Sequence, residues 1–386
     1  MKLIKELPDP FRMRDGGRVA SAADWRSRRR EIRSLMLDLQ YGDLPGAPED
    51  TRARAVGTEP TDDGGRRDSL RLEFVPSKAR PDVSFGMDIS VRHPSPEAVE
   101  RRRRRIGDFG RGGLPVLLYV GSGAFAEPPD RGFLTVCYQN DQLEPMEEGN
   151  PIVGPARSAY EELEPGAYSW GSIAVWAWGA MRLLDWVLAM PEANGGQVMV
   201  SGHSRNGKAA LLAGALDERF ALVNPAGSGC AGAGSYLALD GECEDLAALT
   251  DRKRWWAWTR PEFAAWAGRE EELPFDQHFL MGLVAPRPLL RTEGDEDRWA
   301  NPAGTCASFL ATEPVYEFLG APERNGVHFH RGGHHQGDED IGALLDFADW
   351  HFFGVEPGRS FKRLPRGPET LPTLFRWTGP ARGPGI

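Results

Sequence analysis

The stretch of the chain best suited to chemistry is Val198-Met199-Val200-Ser201-Gly202-His203-Ser204-Arg205-Asn206-Gly207-Lys208. The apolar run Val198 to Val200 reads as a buried strand, and a helical run from Arg205 to Leu216 follows it with no spacer. Ser204 falls at the join. A serine on a sharp strand-to-helix turn is held at the top of a sheet with its hydroxyl exposed and the N-terminus of the next helix behind it. The spacing is G-x-S-x-x-G, because Asn206 stands where the commoner turn has its second glycine.

A serine is a poor nucleophile at neutral pH. It needs a base within hydrogen-bond reach and an acid that orients that base. When the serine sits on such an elbow, the acid and then the histidine follow it along the chain. His334 is the expected base. Gly332 and Gly333 before it allow the backbone to bend, and His335 is the competing base. Asp297 is the expected acid, three residues after Gly294 in Gly294-Asp295-Glu296-Asp297, with Asp295 as its nearest rival. The backbone N–H of Arg205, first after the serine, is expected to face a tetrahedral oxyanion. The turn Gly121-Ser122-Gly123 is expected to supply a second such N–H. His328, His330, His334 and His335 also cluster near Asp338 and Asp340, and His328 and His330 share one strand face as a ligand pair would. A metal there would leave Ser204 without a partner, so neither a metal nor a cofactor is expected.

The elements that must position these groups alternate. Trp25, Ile32, Leu35, Met36 and Leu39 have helical spacing, and Tyr41-Gly42 ends that helix. Leu70 to Phe74 and Val83 to Val91 alternate as half-buried antiparallel strands. Leu114–Val120 and Phe133–Tyr138 are continuous apolar runs, which buried parallel strands require. Glu144 to Gly171 is long and polar and reads as a loop walling the cleft. Helices are expected over 173–188, 305–319 and 341–353, and strands over 220–224, 288–292 and 327–330. The result is an α/β doubly wound, mostly parallel sheet, an α/β-hydrolase fold with its site at the carboxyl ends of the strands. A single domain over 1–386 is expected, with an N-terminal helix and leading strands over 1–110. A cap-like insertion spans 226–285, its tryptophans, Trp255, Trp256, Trp258 and Trp266, serving as core, as a sugar platform, or as both.

The totals exclude several classes. The chain has 386 residues, 40% of them apolar, and a net charge of −10, which argues against nucleic acid or an anionic membrane as a partner. Arg101 to Arg105 is followed by glycines and reads as a solvated loop. The four cysteines, Cys137, Cys230, Cys243 and Cys306, form no C-x-x-C pair and fit free thiols better than a disulfide framework. No run of 18 apolar residues exists to span a membrane. As written, the start lacks the apolar core of a signal peptide, so a cytoplasmic protein is expected; a secreted or periplasmic one with its leader removed would read the same.

Gly202-His203-Ser204-Arg205-Asn206-Gly207-Lys208 resembles the G-C-S-R-x-G-K elbow of the glucuronoyl esterases, with His203 in place of Cys. The likeness extends to Ala177-Trp178-Gly179, Ala285-Pro286-Arg287-Pro288 and Gly332-Gly333-His334 and covers roughly residues 110 to 355, in the manner of the bacterial members. The resemblance implies that the Arg205 guanidinium faces the oxyanion. It also implies that Lys208, near the cleft mouth, contacts sugar hydroxyls, and that Trp299 touches the uronate ring. Glu242 and Glu244 stand in the stretch 236–260, where the family draws further sugar contacts. The glutamate that serves as acid in the fungal members falls on Gly227, while some bacterial members place an aspartate after the later strand. The expected function is therefore hydrolysis of a carboxylic ester by a serine, on glucuronoyl esters of carbohydrates. The alternatives are a general carbohydrate or acetyl esterase and a non-catalytic binding protein of the same fold.

Overall fold

The structure is a computed structural model that describes residues 1–107, 112–121, 131–146, 153–365 and 371–381. In chain order its strands are β1 (Lys2–Leu3), β2 (Asp50–Pro60), β3 (Arg66–Val75), β4 (Phe85–His93), β5 (Leu114–Val120), β6 (Leu134–Tyr138), β7 (Ala193–His203), β8 (Leu222–Ala226), β9 (Ala238–Leu239), β10 (Leu289–Gly294) and β11 (Asn325–His330). Its helices are α1 (Ala22–Met36), α2 (Pro96–Ile106), α3 (Pro155–Leu163), α4 (Ser172–Val187), α5 (Arg205–Leu216), α6 (Leu246–Leu249), α7 (His278–Val284), α8 (Pro302–Phe318) and α9 (Asp338–Phe353).

Nine strands form one mixed sheet in the order β11-β10-β8-β7-β5-β6-β4-β3-β2. From β11 to β6 neighbouring strands are parallel, and β4, β3 and β2 continue the sheet antiparallel. The composition of the strands follows from this. Val116 to Val120 and Val198 to Ser201 are buried, as strands covered on both faces must be. Strand β2 is exposed along nearly its whole length and carries Arg, Thr and Glu, so no apolar period marked it in the sequence. Helix α4 is buried almost all round, with Trp176 and Trp178 among the largest fully enclosed side chains. It packs beside α5, the helix that follows Ser204.

Two expectations are corrected. Arg101–Arg105 is not a solvated loop but the second half of α2, which Ser95 caps by accepting from the Ala98 N–H at 3.2 Å. Arg102 turns inward, its guanidinium 4.1 Å from the Phe133 ring centroid and paired with buried Asp349. Five arginines in a row hide a helix whose buried face is only Ala98 and Arg102, too little for an apolar period to reveal. The polar stretch 144–171 likewise contains α3, buried through Ala156, Ala159 and Tyr160. It is tied down by Glu144, a fully buried carboxylate that accepts from the Gly154 N–H at 2.8 Å, from Arg157 and from Ser172 Oγ at 3.3 Å.

The segment 226–285 holds β9, paired to β1, then α6 and short 3₁₀ turns carrying the tryptophans. Its end, α7, packs among α1, α5 and α8 as part of the main body. The four cysteines are free thiols, with Cys230 and Cys306 buried. Among the described residues no helix is long and apolar enough to cross a membrane.

Asp349 holds Arg102 and also Arg131, the latter at 2.6 Å, inside the body of the protein. Asp349→Ala removes the carboxylate from the buried Arg102 guanidinium and is expected to lower stability by about 3–5 kcal/mol in urea unfolding. A loss under about 1 kcal/mol would contradict a structural role for this cluster.

Candidate active site

Ser204 stands between β7 and α5 with φ 57° and ψ −125°, one of three non-glycine residues with positive φ among those described. Such a conformation costs free energy and persists only where the surroundings fix it. Here the Ser204 N–H donates to Ala226 O at 2.9 Å, and Ser204 O accepts from the Lys208 N–H at 3.1 Å. The turn is so tight that a Cβ at Gly202 would lie 2.4 Å from Asn206 O, and one at Gly207 would lie 2.7 Å from Ala226 O. Gly207 thus provides the close helix-to-strand approach. Asn206, at the commoner glycine position, directs its amide to Asn140 and accepts from Asn140 Nδ2 at 2.9 Å.

His334 and Ser204 lie 130 residues apart in sequence and meet, with Nε2 2.9 Å from Oγ. On the other side of the ring, Nδ1 is 2.6 Å from Asp297 Oδ2. With Nδ1–H donating to the carboxylate, Nε2 is free to accept the serine proton. Asp297 is 3% exposed, and its second oxygen accepts from the Ala300 N–H at 3.2 Å. The rivals are occupied elsewhere. Asp295 accepts from the Gly332 N–H at 3.0 Å, and the His335 ring packs 4.1 Å from that of His330. His330 in turn is paired with buried Asp340 at 2.9 Å, and His328 faces Glu339 at 3.3 Å.

These groups open onto a cleft of about 390 Å³. Its walls include Arg205, Asp141 and Met146 on one side and Trp255, Trp258 and Trp299 on another. Trp255 and Trp258 stack at 4.8 Å and 13°, and Trp299 meets Trp255 edge-on at 6.4 Å. The tryptophans therefore pack on each other and also line the cleft. Arg205 donates from Nη2 to Asp141 at 3.0 and 3.1 Å. Of the proposed oxyanion turn, Gly121 has φ 101°, and a Cβ there would lie 2.4 Å from Asn206 Nδ2. Ser122 and Gly123 lie outside the described residues.

Lys208 was expected near the cleft mouth; it is 2% exposed and forms part of the floor. Its ammonium donates to Ser228 O at 2.9 Å, to Cys230 O, and to Glu244 Oε2 at 2.7 Å. An ammonium has three protons, so all are engaged. Glu244 lines the cleft, whereas Glu242 lies in a neighbouring groove beside Asp240 and Asp295. Of the two glutamates in 236–260, Glu244 is thus the one that reaches the cleft, and it does so from a buried ion pair with Lys208.

Sequence reasoning missed Asn140, Asp141 and Met146, which no motif marks. They follow the carboxyl end of β6, and position at the end of a parallel strand is the signal that would have found them. It also assigned no role to His203. That ring packs 4.5 Å from His334 at 43°, and its Nε2 has no partner among the described residues. Burial, and then the neighbouring His334, bring its pKa down to about 4. A Cβ at Gly227 would stand 3.1 Å from His203 Nε2 and 3.6 Å from His334 Cε1, so His203 crowds the space into which a side chain at 227 would extend. Glu293, at the end of β10, is enclosed, and burial holds its carboxyl well above the usual range.

Comparison with known proteins places this geometry. The family model described as glucuronyl esterase, fungi, matches residues 103–320, more than half of the chain. A 4-O-methyl-glucuronoyl methylesterase of Podospora anserina is 29% identical over 334 residues, 84% of this chain but only 62% of that protein's length. A carbohydrate esterase of an unknown prokaryotic organism is 28% identical over 398 residues, covering 90% of each chain. Among solved structures, a carbohydrate esterase family 15 glucuronoyl esterase from Caldicellulosiruptor kristjansonii superposes with a TM-score of 0.78 at 28% identity, over 94% of this chain and 95% of that one.

The buried histidines make a prediction about pH. Burial lowers the pKa of His203, His278 and His351 to about 4 from the ordinary imidazole value of 6.5. At these three rings the folded state therefore binds fewer protons than the unfolded chain between these limits, and their share of stability is lost as pH falls below 6.5, whereas the raised carboxyls of Glu293 and Asp276 act in the opposite sense. In an NMR titration the rings of His203, His278 and His351 are expected to stay neutral from pH 6.5 down to about 5. A ring among them that gains its proton near pH 6.5 would contradict its burial.

Proposed function

This chain belongs to the glucuronoyl esterase family, and on that premise we propose that it hydrolyses glucuronoyl esters of carbohydrates, with Ser204 as nucleophile. The observation that carries the reading is the continuous hydrogen-bonded line Asp297–His334–Ser204, at 2.6 and 2.9 Å, opening onto a cleft with aromatic walls. In the proposed reaction Ser204 Oγ attacks the ester carbonyl carbon while His334 Nε2 takes its proton. The Arg205 backbone N–H, which at the first position of α5 has no acceptor within the helix, and its guanidinium face the negative charge that develops on the carbonyl oxygen. The C–O bond to the alcohol then breaks, and His334 returns the proton to the leaving oxygen. Water, activated by the same imidazole, releases the uronic acid and restores the serine. Asp297, buried and fixed by Ala300, keeps His334 in the tautomer both steps need.

The substrate reading is supported by the family and by the cleft. Trp299, Trp255 and Trp258 line the cleft with apolar ring surface against which a sugar ring can pack. Glu244 supplies an acceptor for its hydroxyls, and Lys208 holds that carboxylate from behind. The ester substrate is neutral, so an acidic protein does not repel it, whereas the free uronate product is anionic. Fungal relatives such as the Podospora protein are named for methyl esters of 4-O-methyl-glucuronic acid, and the same bond type is proposed here.

Methyl glucuronate and p-nitrophenyl acetate distinguish this from a general acetyl esterase. The wild type is expected to turn over the uronate ester with the higher kcat/KM, and Ser204→Ala to lose about 10⁴-fold or more. A preference for the acetate, or full uronate turnover by Ser204→Ala, would contradict the reading.

A further inference from the structure

We propose that Asp141 is a positioning residue that aims the guanidinium of Arg205 and acts on the reaction only through it. The inference rests on the reading of Arg205 as the cation beside the developing oxyanion.

Arg205 leaves the first turn of α5 and crosses the cleft wall to the 3₁₀ turn Asn140–Gln142, which follows β6. There Nη2 donates to both oxygens of Asp141, at 3.0 and 3.1 Å, Nη1 lies 3.0 Å from Met146 Sδ, and the carbon of the guanidinium sits 5.5 Å from the Trp176 ring centroid. Its Nε is enclosed, with no acceptor among the described residues. The next residue on each side is tied as well, since Asn140 Nδ2 donates to Asn206 Oδ1 at 2.9 Å. One turn thus holds two consecutive residues of the helix that begins at the nucleophile.

Two arguments make this a device for the reaction. Asp141 is 53% exposed, and an ion pair so open to water adds little to folding stability. A carboxylate in a cleft where negative charge must develop also opposes the reaction, unless a cation stands between it and that charge. Arg205 is that cation. Arginine has several freely rotating bonds, and a carboxylate that engages it at one end restricts them before the ester arrives, so the charge is in place without reorganisation.

The test measures kcat and KM on methyl glucuronate for Asp141→Asn, Asp141→Ala, Arg205→Ala and the double variant Asp141→Ala/Arg205→Ala. Asp141→Ala is expected to lower kcat by about 10- to 100-fold, as a misplaced catalytic group does, with KM within about 3-fold and the melting temperature unchanged. Asp141→Asn should fall between it and the wild type. The double variant should be no slower than Arg205→Ala, because Asp141 has nothing left to aim. A wild-type kcat for Asp141→Ala, or losses that multiply in the double variant, would overturn the proposal while leaving Arg205 in its role. An unchanged kcat for Arg205→Ala would remove the oxyanion reading, and this proposal with it.

Discussion

The architecture depends on one backbone turn at Ser204. A non-glycine residue at φ 57° and ψ −125° is held there by the hydrogen bond to Ala226 O and by a helix that starts at the next residue. Gly202 and Gly207 let the turn close to distances at which any side chain would collide with backbone oxygen. Because the elbow leaves the carboxyl end of a central strand, its hydroxyl emerges where the loops after β6, β8, β10 and β11 also end. The rest of the site is a matter of which side chains those loops bring.

The loop after β11 must carry an imidazole back to that hydroxyl. It does so by resting on the loop after β10. A Cβ at Gly294 would lie 2.3 Å from Gly333 O, the Asp295 carboxylate accepts from the Gly332 N–H, and the Asp295 N–H donates to His330 O. Beneath it, the buried His330–Asp340 pair fixes the start of the turn. The adjacent acids Asp295 and Asp297 thus differ in task by direction alone: one braces the loop and the other reaches the imidazole. On the floor of the cleft, the buried Lys208–Glu244 pair stands in place of the lysine expected at the cleft mouth.

Much of this was legible in the residues. The strand-to-helix join at Ser204, the glycines before His334 and the order of serine, acid and histidine follow from local pattern and chain order, and the structure brings those three side chains together. The parallel strands were legible because burial on both faces leaves continuous apolar runs. Strand β2, helix α2 and helix α3 were not, for a shared reason: each buries few apolar groups, so polar residues set the visible pattern. Arg102 and Glu144 do the work of core residues in those regions, and a buried charge cannot be told from a solvated one without its partner. The same limit hid Asp141, whose meaning lies in Arg205, 64 residues away. The departures His203 and Gly227 looked independent in the sequence and prove to be neighbours packed against the same imidazole.

The proposed esterase therefore reduces to whether the hydroxyl at 204 is made nucleophilic by the imidazole at 334. Fluorophosphonate labelling followed by peptide mass spectrometry tests this most directly, since it requires the activated serine and no particular ester. The account predicts one label per chain on the peptide bearing Ser204, with the labelling rate lowered by orders of magnitude in His334→Ala. A wild-type protein that takes up no label, or a His334→Ala variant labelled at the wild-type rate, would contradict it.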